Sequence, residues 1–318
     1  MDLIATPKNP VPLGVSAGHI TARKGAKLRF ARWPSSLRER RGTVCVFPGR
    51  SEFIEKYFEV VGELRRRGFA VAVLDWRGQG GSSRLLRNRL RGYVRSFADY
   101  EDDLGRFMNE VVLPDCPPPY FALAHSMGST VLLKAATMRG CWFSRMVMTA
   151  PMLKVPLPLS PRATAAVLTS LRLCGLGGVP VPGGMRAYVE SQEFEDNLLT
   201  SDRERFLRNQ SVVAAAPELA IGPPTIAWVR AALAAMAEIG SDKFPSRLRV
   251  PVLMLAASDD RLVSSLAIEE LAMRLKVGSQ LVLRGARHEI LQERDVIRQQ
   301  FWAAFDAFVP GAALSKAS

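Results

Sequence analysis

The stretch Tyr120-Phe121-Ala122-Leu123-Ala124-His125-Ser126-Met127-Gly128-Ser129-Thr130-Val131 constrains this chain more than any other. An apolar run of strand length enters Ala-His-Ser-Met-Gly, and Val131 to Ala136 continues with helical character. This is the sequence form of a nucleophile elbow, a strained turn between strand and helix that pushes a serine out of the sheet edge. Strand and helix backbones crowd at such a turn, so small residues are needed two before and two after the serine. Ala124 and Gly128 supply them. Ser126 is therefore the candidate nucleophile.

The flanking pattern supports a parallel sheet. Thr43–Phe47, Phe69–Leu74, the elbow strand and Phe143–Thr149 are nearly continuous apolar runs. Between them lie helical spacings over Phe53–Arg67 and from the Ser96 cap to about Val112. Strands of that kind alternating with helices predict an α/β sheet covered on both faces. Leu28–Trp33 alternates apolar and charged residues, as a half-exposed edge strand would. From 151 to about 245 the rhythm breaks into prolines, glycines and helix-like pieces at 163–173, 203–213 and 225–239. It resumes with a strand at 250–256, a helix at 264–275, a strand at 279–283 and a helix at 292–308. The expected organisation is a core in two parts, 1–150 and 246–318, around a helical cap at 151–245. Residues 1–15 and the tail after Pro310 are expected to be loosely held.

A serine hydroxyl needs a base within hydrogen-bond reach. The chain has three histidines. His19 lies in the N-terminal arm, and His125 is turned away from its neighbour Ser126 by the elbow. His288 follows the strand at 279–283, where a parallel sheet presents catalytic groups. His288 is thus the candidate base. Its acid partner comes from Asp259-Asp260, which follows the strand at 250–256. The order serine, acid, histidine matches the triad order of hydrolases with this elbow. A developing oxyanion needs preorganised donors. The N–H of Met127 is one, and the loop Pro48-Gly49-Arg50 offers the N–H of Arg50 as the other. The glycine-containing loop Asp75–Ser82 lacks the glycine order and lysine of a phosphate-binding loop. It is expected to shape the sheet edge rather than bind a nucleotide.

Composition narrows the alternatives. A hydrophobic fraction of 48% excludes a disordered chain. The four cysteines show no paired metal spacing, which fits scattered reduced thiols and a cytoplasmic protein. The net charge of +13 resides mostly in the first 150 residues, with five arginines between Arg84 and Arg95. Such a face suits an anionic membrane or substrate. No nucleic-acid-binding signature accompanies it. No cofactor or metal is implied, and no signal peptide or membrane-spanning run is evident.

These residues resemble the α/β-hydrolase superfamily, and within it the serine hydrolases that include bacterial lysophospholipase L2 and monoacylglycerol lipase. The likeness is carried by Pro48–Glu52, Lys56-Tyr57, Asp75–Gly80, Ser96–Tyr100 with Asp102–Leu104, Leu123–Gly128, Asp260–Val263 and Gly285–Glu289. It covers most of 43–150 and 250–305 and fades in the expected cap. Two positions depart from the broader pattern: Pro48 where His is common, and Ser129 where Gly is frequent. The resemblance implies an α/β-hydrolase fold and selects Asp260 over Asp259, since the family's acid directly precedes Arg. It also implies an ester hydrolase acting on lysophospholipids or monoacylglycerols, cytoplasmic or at the inner membrane face. A short-chain carboxylesterase or thioesterase shares this chemistry. An aminopeptidase is a further alternative, with Glu190, Glu193, Glu195 and Asp196 as candidate amine-binding groups. A catalytically idle binding scaffold is the non-enzymatic one.

Overall fold

Strands buried on both faces need a layer of helices on each side. The computed structural model describes residues 3–38, 40–137, 140–181 and 193–310. Its sheet has eight strands: β1 Ser16–Thr21, β2 Lys27–Trp33, β3 Thr43–Phe47, β4 Ala70–Leu74, β5 Tyr120–His125, β6 Arg145–Thr149, β7 Val252–Ala257 and β8 Gly278–Leu283. They lie in the order β1-β2-β4-β3-β5-β6-β7-β8. β1 and β2 pair antiparallel, as do β2 and β4; every later pairing is parallel. β3, β4 and β7 are buried along their whole length.

The helices that follow are α1 Phe58–Arg66, α2 Ala98–Phe107, α3 Met127–Ala135, α4 Pro161–Leu173, α5 Arg203–Ala215, α6 Ile226–Gly240, α7 Ser265–Arg274 and α8 Asp295–Phe308. Alternate residues of each central strand enter different cores. Val44 and Val46 pack with Phe58, Val61, Phe301 and Phe305 of α1 and α8. Cys45 and Phe47 pack with Phe107, Val131, Leu132 and Met236 on the other face. That period-two division is what a two-faced strand requires.

Two expectations are corrected. Leu28–Trp33 is not the edge: β1 pairs along it in register. Its charged position Arg29 is fully buried, because Glu55 and Asp75 neutralise it at 2.7 Å. Nor are the described residues before β1 loose. The Ile4 N–H donates to Glu55 Oε1 at 3.1 Å, and buried Asn9 donates to the Glu55 carbonyl at 2.9 Å. The tail after Pro310 lies outside the described residues.

Between β6 and β7 the described residues contain helices and turns but no strand. Side-chain caps start the three longer helices here: Ser160 on α4, Asp202 on α5 and Thr225 on α6. The insert is fastened to α1 and α8 by Glu59, which pairs with Arg205, Arg208 and Arg298 at 2.5–2.7 Å. Its links to the second half include the Glu289 N–H, which donates to the Leu199 carbonyl at 2.8 Å, the Thr200 hydroxyl, which donates to the Gln292 carbonyl at 2.7 Å, and Arg287, which donates to the Asn197 carbonyl at 2.9 Å.

Candidate active site

β5 ends at the sheet centre and α3 begins two residues later, so the chain must reverse within Ser126. Ser126 takes φ 48° and ψ −112°, outside the regions ordinary residues prefer. Its N–H donates to the Thr149 carbonyl at 3.0 Å, and its carbonyl accepts from Met152 N–H at 3.2 Å. These bonds from the neighbouring strand end hold the strained turn. Gly128 must lack a Cβ, since one would strike the carbonyl oxygens of Phe47 and Pro48.

β7 and β8 deliver the other two groups. His288 Nε2 lies 3.0 Å from Ser126 Oγ, and His288 Nδ1 lies 2.7 Å from Asp260 Oδ2. Asp260 Oδ1 accepts from the N–H groups of Leu262 and Val263 at 2.8 and 3.0 Å. Burial works hardest against that carboxylate's charge, but His288 and the two N–H groups hold its pKa below the ordinary value. Asp259 turns outward, is exposed, and accepts only from the adjacent Ser258 hydroxyl among side chains. The structure thus joins Ser126, His288 and Asp260 in one hydrogen-bonded chain and leaves Asp259 out. Such a chain can deprotonate a serine and stabilise the imidazolium that results.

The candidate oxyanion donors are narrowed by what each backbone N–H already bonds. Met127 opens α3, so its N–H has no partner one turn earlier. Pro48 has no N–H, and the Gly49 N–H is taken by Glu52 Oε2. Arg50 is left as the candidate donor of this loop. The loop itself is held on three atoms: Trp76 Nε1 donates to the Pro48 carbonyl at 2.9 Å, Gln79 Nε2 to the Gly49 carbonyl at 2.7 Å, and Glu52 binds Gly49 N–H. That is what the Asp75–Ser82 loop does for the sheet edge. Gly49 abuts the nucleophile, since a Cβ there would lie 3.3 Å from Ser126 Cβ and 2.9 Å from the His125 ring.

Beneath the loop lies a buried polar group that the sequence did not assign. Lys56 Nζ contacts Glu52 at 2.9 Å and Glu289 at 2.5 Å, and Tyr57 donates to Glu52 at 2.6 Å. Burial opposes the charge of Glu52, but Lys56, His125 and Tyr57 hold its pKa at about 2. The i,i+4 spacing of Glu52 and Lys56 was the available signal. Glu289, distant in sequence and next to His288, gave none. His125 points to Thr149 at 3.1–3.2 Å, and burial lowers its pKa to about 4, so it is neutral. His19 sits on β1, four strands from β5.

Other candidates fall outside the site or the described residues. Exposed Glu195 pairs with Arg203 at 2.7 Å, and Glu190 lies outside the described residues. Among the described residues no group of His, Cys, Asp or Glu is arranged to hold a metal, and no helix is long and apolar enough to cross a membrane. The arginine run at 84–95 is only partly a solvated face: Arg84 donates to the carbonyls of Gly80, Ser82 and Glu218 at 2.6–3.0 Å.

A mostly parallel eight-stranded sheet flanked by helices, with a serine elbow at its centre, defines an α/β-hydrolase. The chain belongs to the family described as serine aminopeptidase, S33, whose profile matches residues 38–295. It is a hydrolase. Lysophospholipase L2 of Escherichia coli K12 is 32% identical over 286 residues, covering 85% of this chain and 80% of the relative. A probable lysophospholipase L2 of Haemophilus influenzae is 23% identical, covering 92% and 91%. Among solved structures, a carboxyl esterase of Bacillus coagulans in complex with glycerol superposes with a TM-score of 0.77 at 20% identity, covering 95% of this chain and 99% of that one. A soluble variant of Saccharomyces cerevisiae monoglyceride lipase superposes at 0.74 and 17%, covering 97% and 99%.

Proposed function

We propose that this chain is a serine ester hydrolase working through an acyl-enzyme on lysophospholipids or monoacylglycerols, beneath a cap formed by residues 151–245. The observation that carries the reading is the continuous hydrogen-bonded path from Ser126 Oγ through His288 to Asp260 at the carboxyl edge of β5, β7 and β8. In this scheme Ser126 Oγ attacks the ester carbonyl carbon and His288 Nε2 takes its proton. The N–H groups of Met127 and Arg50 hold the oxyanion. His288 then returns the proton to the departing glycerol oxygen as the ester C–O bond breaks. Water, deprotonated by the same imidazole, attacks the acyl-serine; the acyl–Oγ bond breaks, His288 returns the proton to Ser126 Oγ, and the fatty acid is released. Asp260 stays ionised and fixes the imidazole throughout.

An apolar cleft of about 260 Å³ supports a lipid substrate. Leu153, Val155, Leu157, Leu233, Met236 and Ile239 line it together with the charged Lys154, Glu270 and Arg274; the triad does not line it, but Leu153 directly follows Met152, whose N–H bonds to the Ser126 carbonyl. Ligand pockets are mostly apolar with few polar groups. The names of the E. coli and H. influenzae relatives point the same way. Cytoplasmic placement, with peripheral contact to an anionic inner membrane face, is part of the same proposal.

The test is turnover of a lysophospholipid beside a monoacylglycerol of equal chain length, with aminoacyl anilides and nitrophenyl acetate as competitors. The proposal expects release of fatty acid from one or both lipids. Turnover confined to anilides would establish the aminopeptidase reading that the family description favours, and turnover confined to acetate a short-chain esterase.

A further inference from the structure

A guanidinium removed from water is ordinarily matched by a carboxylate. Arg29, Arg67, Arg77 and Arg205 follow that rule, with partners at 2.5–2.8 Å. Arg50 does not. Its side chain leaves the oxyanion loop and lies under the insert, where Nη2 donates to the Gly222 carbonyl at 2.6 Å and Nη1 to Ser51 Oγ at 3.0 Å. The guanidinium carbon stands 5.2 Å from the ring centre of Trp228, which anchors itself on Tyr100 at 3.2 Å. Nε is buried without a hydrogen-bond partner. Burial with no carboxylate to offset it pushes the Arg50 pKa down to about 10. The group is still cationic at neutral pH.

The backbone that carries this cation borders the reacting serine. Gly49, the preceding residue, abuts Ser126, and the Arg50 N–H is the loop's oxyanion donor in the scheme above. An extended arginine places its guanidinium about 6–7 Å from its own backbone nitrogen, by ordinary covalent lengths. A glycerophospholipid separates its sn-1 ester from its phosphorus by about the same distance. One residue thus offers a backbone donor to the ester oxygen and a side-chain cation at the span of a phosphate. Helix α6 orders the rest. Trp228 lies at its start, beside Arg50, and Met236 and Ile239 near its end line the apolar cleft. At 1.5 Å per residue the two are roughly 12–16 Å apart, which separates a polar pole from an acyl pole.

We propose that the Arg50 guanidinium is the headgroup subsite of this enzyme, pairing with the phosphate of a lysophospholipid. The proposal rests on the ester-hydrolase reading above and sharpens it, favouring lysophospholipid over monoacylglycerol. Phosphate oxygens would accept from Nε and from the second protons of Nη1 and Nη2, the fork geometry that suits arginine to such groups. Trp228 would hold the guanidinium plane by its ring face.

The test compares 1-palmitoyl lysophosphatidylglycerol with 1-palmitoylglycerol, esters that differ only in the headgroup. It uses the full chain, Arg50→Met and Arg50→Lys, all of which keep the backbone N–H. The expected result is a kcat/KM ratio for the two esters that falls at least tenfold in Arg50→Met and less in Arg50→Lys, chiefly through KM. An unchanged ratio in both variants overturns the proposal and leaves Arg50 as a strut between loop and insert. A second measurement needs no variant. Glycerol 3-phosphate should compete with 1-palmitoylglycerol in the native protein where glycerol does not, and equal weakness of the two would overturn the subsite. If the native protein hydrolyses neither palmitoyl ester, the ester-hydrolase reading falls with it. If it hydrolyses 1-palmitoylglycerol alone, only the headgroup subsite falls.

Discussion

The three groups of the candidate triad sit on turns directly after β5, β7 and β8, whereas much of the surface proposed to enclose a substrate comes from helices between β6 and β7. The first region is held from below by buried bonds: Trp76, Gln79 and Glu52 on the oxyanion loop, and Lys56 between Glu52 and Glu289. The second is held from its sides by arginines, through Glu59 and through the Glu218 and Gly222 carbonyls. Its first helix, α4, buries only Leu168 and leaves Leu173 79% exposed. The difference separates two tasks. Positioning a proton transfer needs rigid strand ends. Accommodating a lipid needs apolar surface that is not already spent on the core.

Breaking the first region should have the largest effect. Asp260→Asn is expected to lower kcat by about 10³–10⁴-fold, and Asp259→Asn by less than about threefold. Steady-state kinetics of the two variants with one ester would check this, and equal losses would contradict the placement of the acid. One layer out, Gln79→Ala releases the Gly49 carbonyl and loosens the oxyanion loop. A fall of about 10- to 100-fold in kcat with little change in KM is expected. A rise in KM alone would mean the loop binds substrate and does not stabilise its transition state.

The attachment of the second region gives a pH dependence. Burial works against the charge of Glu59, but Arg205, Arg298 and Arg208 lower its pKa from 4.5 to about 2. The unfolded chain therefore binds this proton first as pH falls. The stability from Glu59 is fully present above about pH 4.5 and is lost between there and about pH 2. Glu59→Gln should flatten the acid limb of a stability curve measured by urea unfolding, and an unaltered limb would show that the insert is not fastened this way. The smallest effects belong to the surface. Leu123→Ala in β5, fully buried, should cost about 3–5 kcal/mol, and Leu173→Ser no more than about 0.5 kcal/mol. Thermal denaturation of both would sharpen the contrast, and a large loss at Leu173 would mean that α4 packs more tightly than its exposure implies.

The same contrast explains what was legible in the sequence. The elbow is a local device, so its strand, serine and glycine stand together and could be recognised before any fold was in view. The central strands β3, β4 and β7 stood out as unbroken apolar runs because both of their faces are buried. β1 was missed because its outer residues are mostly exposed and carry no such run. Arg29 looked like a solvent-facing charge because its partners Glu55 and Asp75 lie well beyond the window of any periodicity. The choice between Asp259 and Asp260 could not be made from spacing, as adjacent carboxylates differ only in which one the loop turns inward. Glu289 and the Arg50 side chain were invisible for a related reason: their surroundings are assembled from segments about 170 to 240 residues away.

In the proposed mechanism His288 and Asp260 make Ser126 a nucleophile. Labelling of the native protein with a fluorophosphonate, followed by peptide mass mapping, tests it most directly. One adduct is expected, on Ser126, absent from Ser126→Ala and strongly slowed in His288→Ala. A folded native protein that takes up no label, or takes it up at another serine, would contradict it.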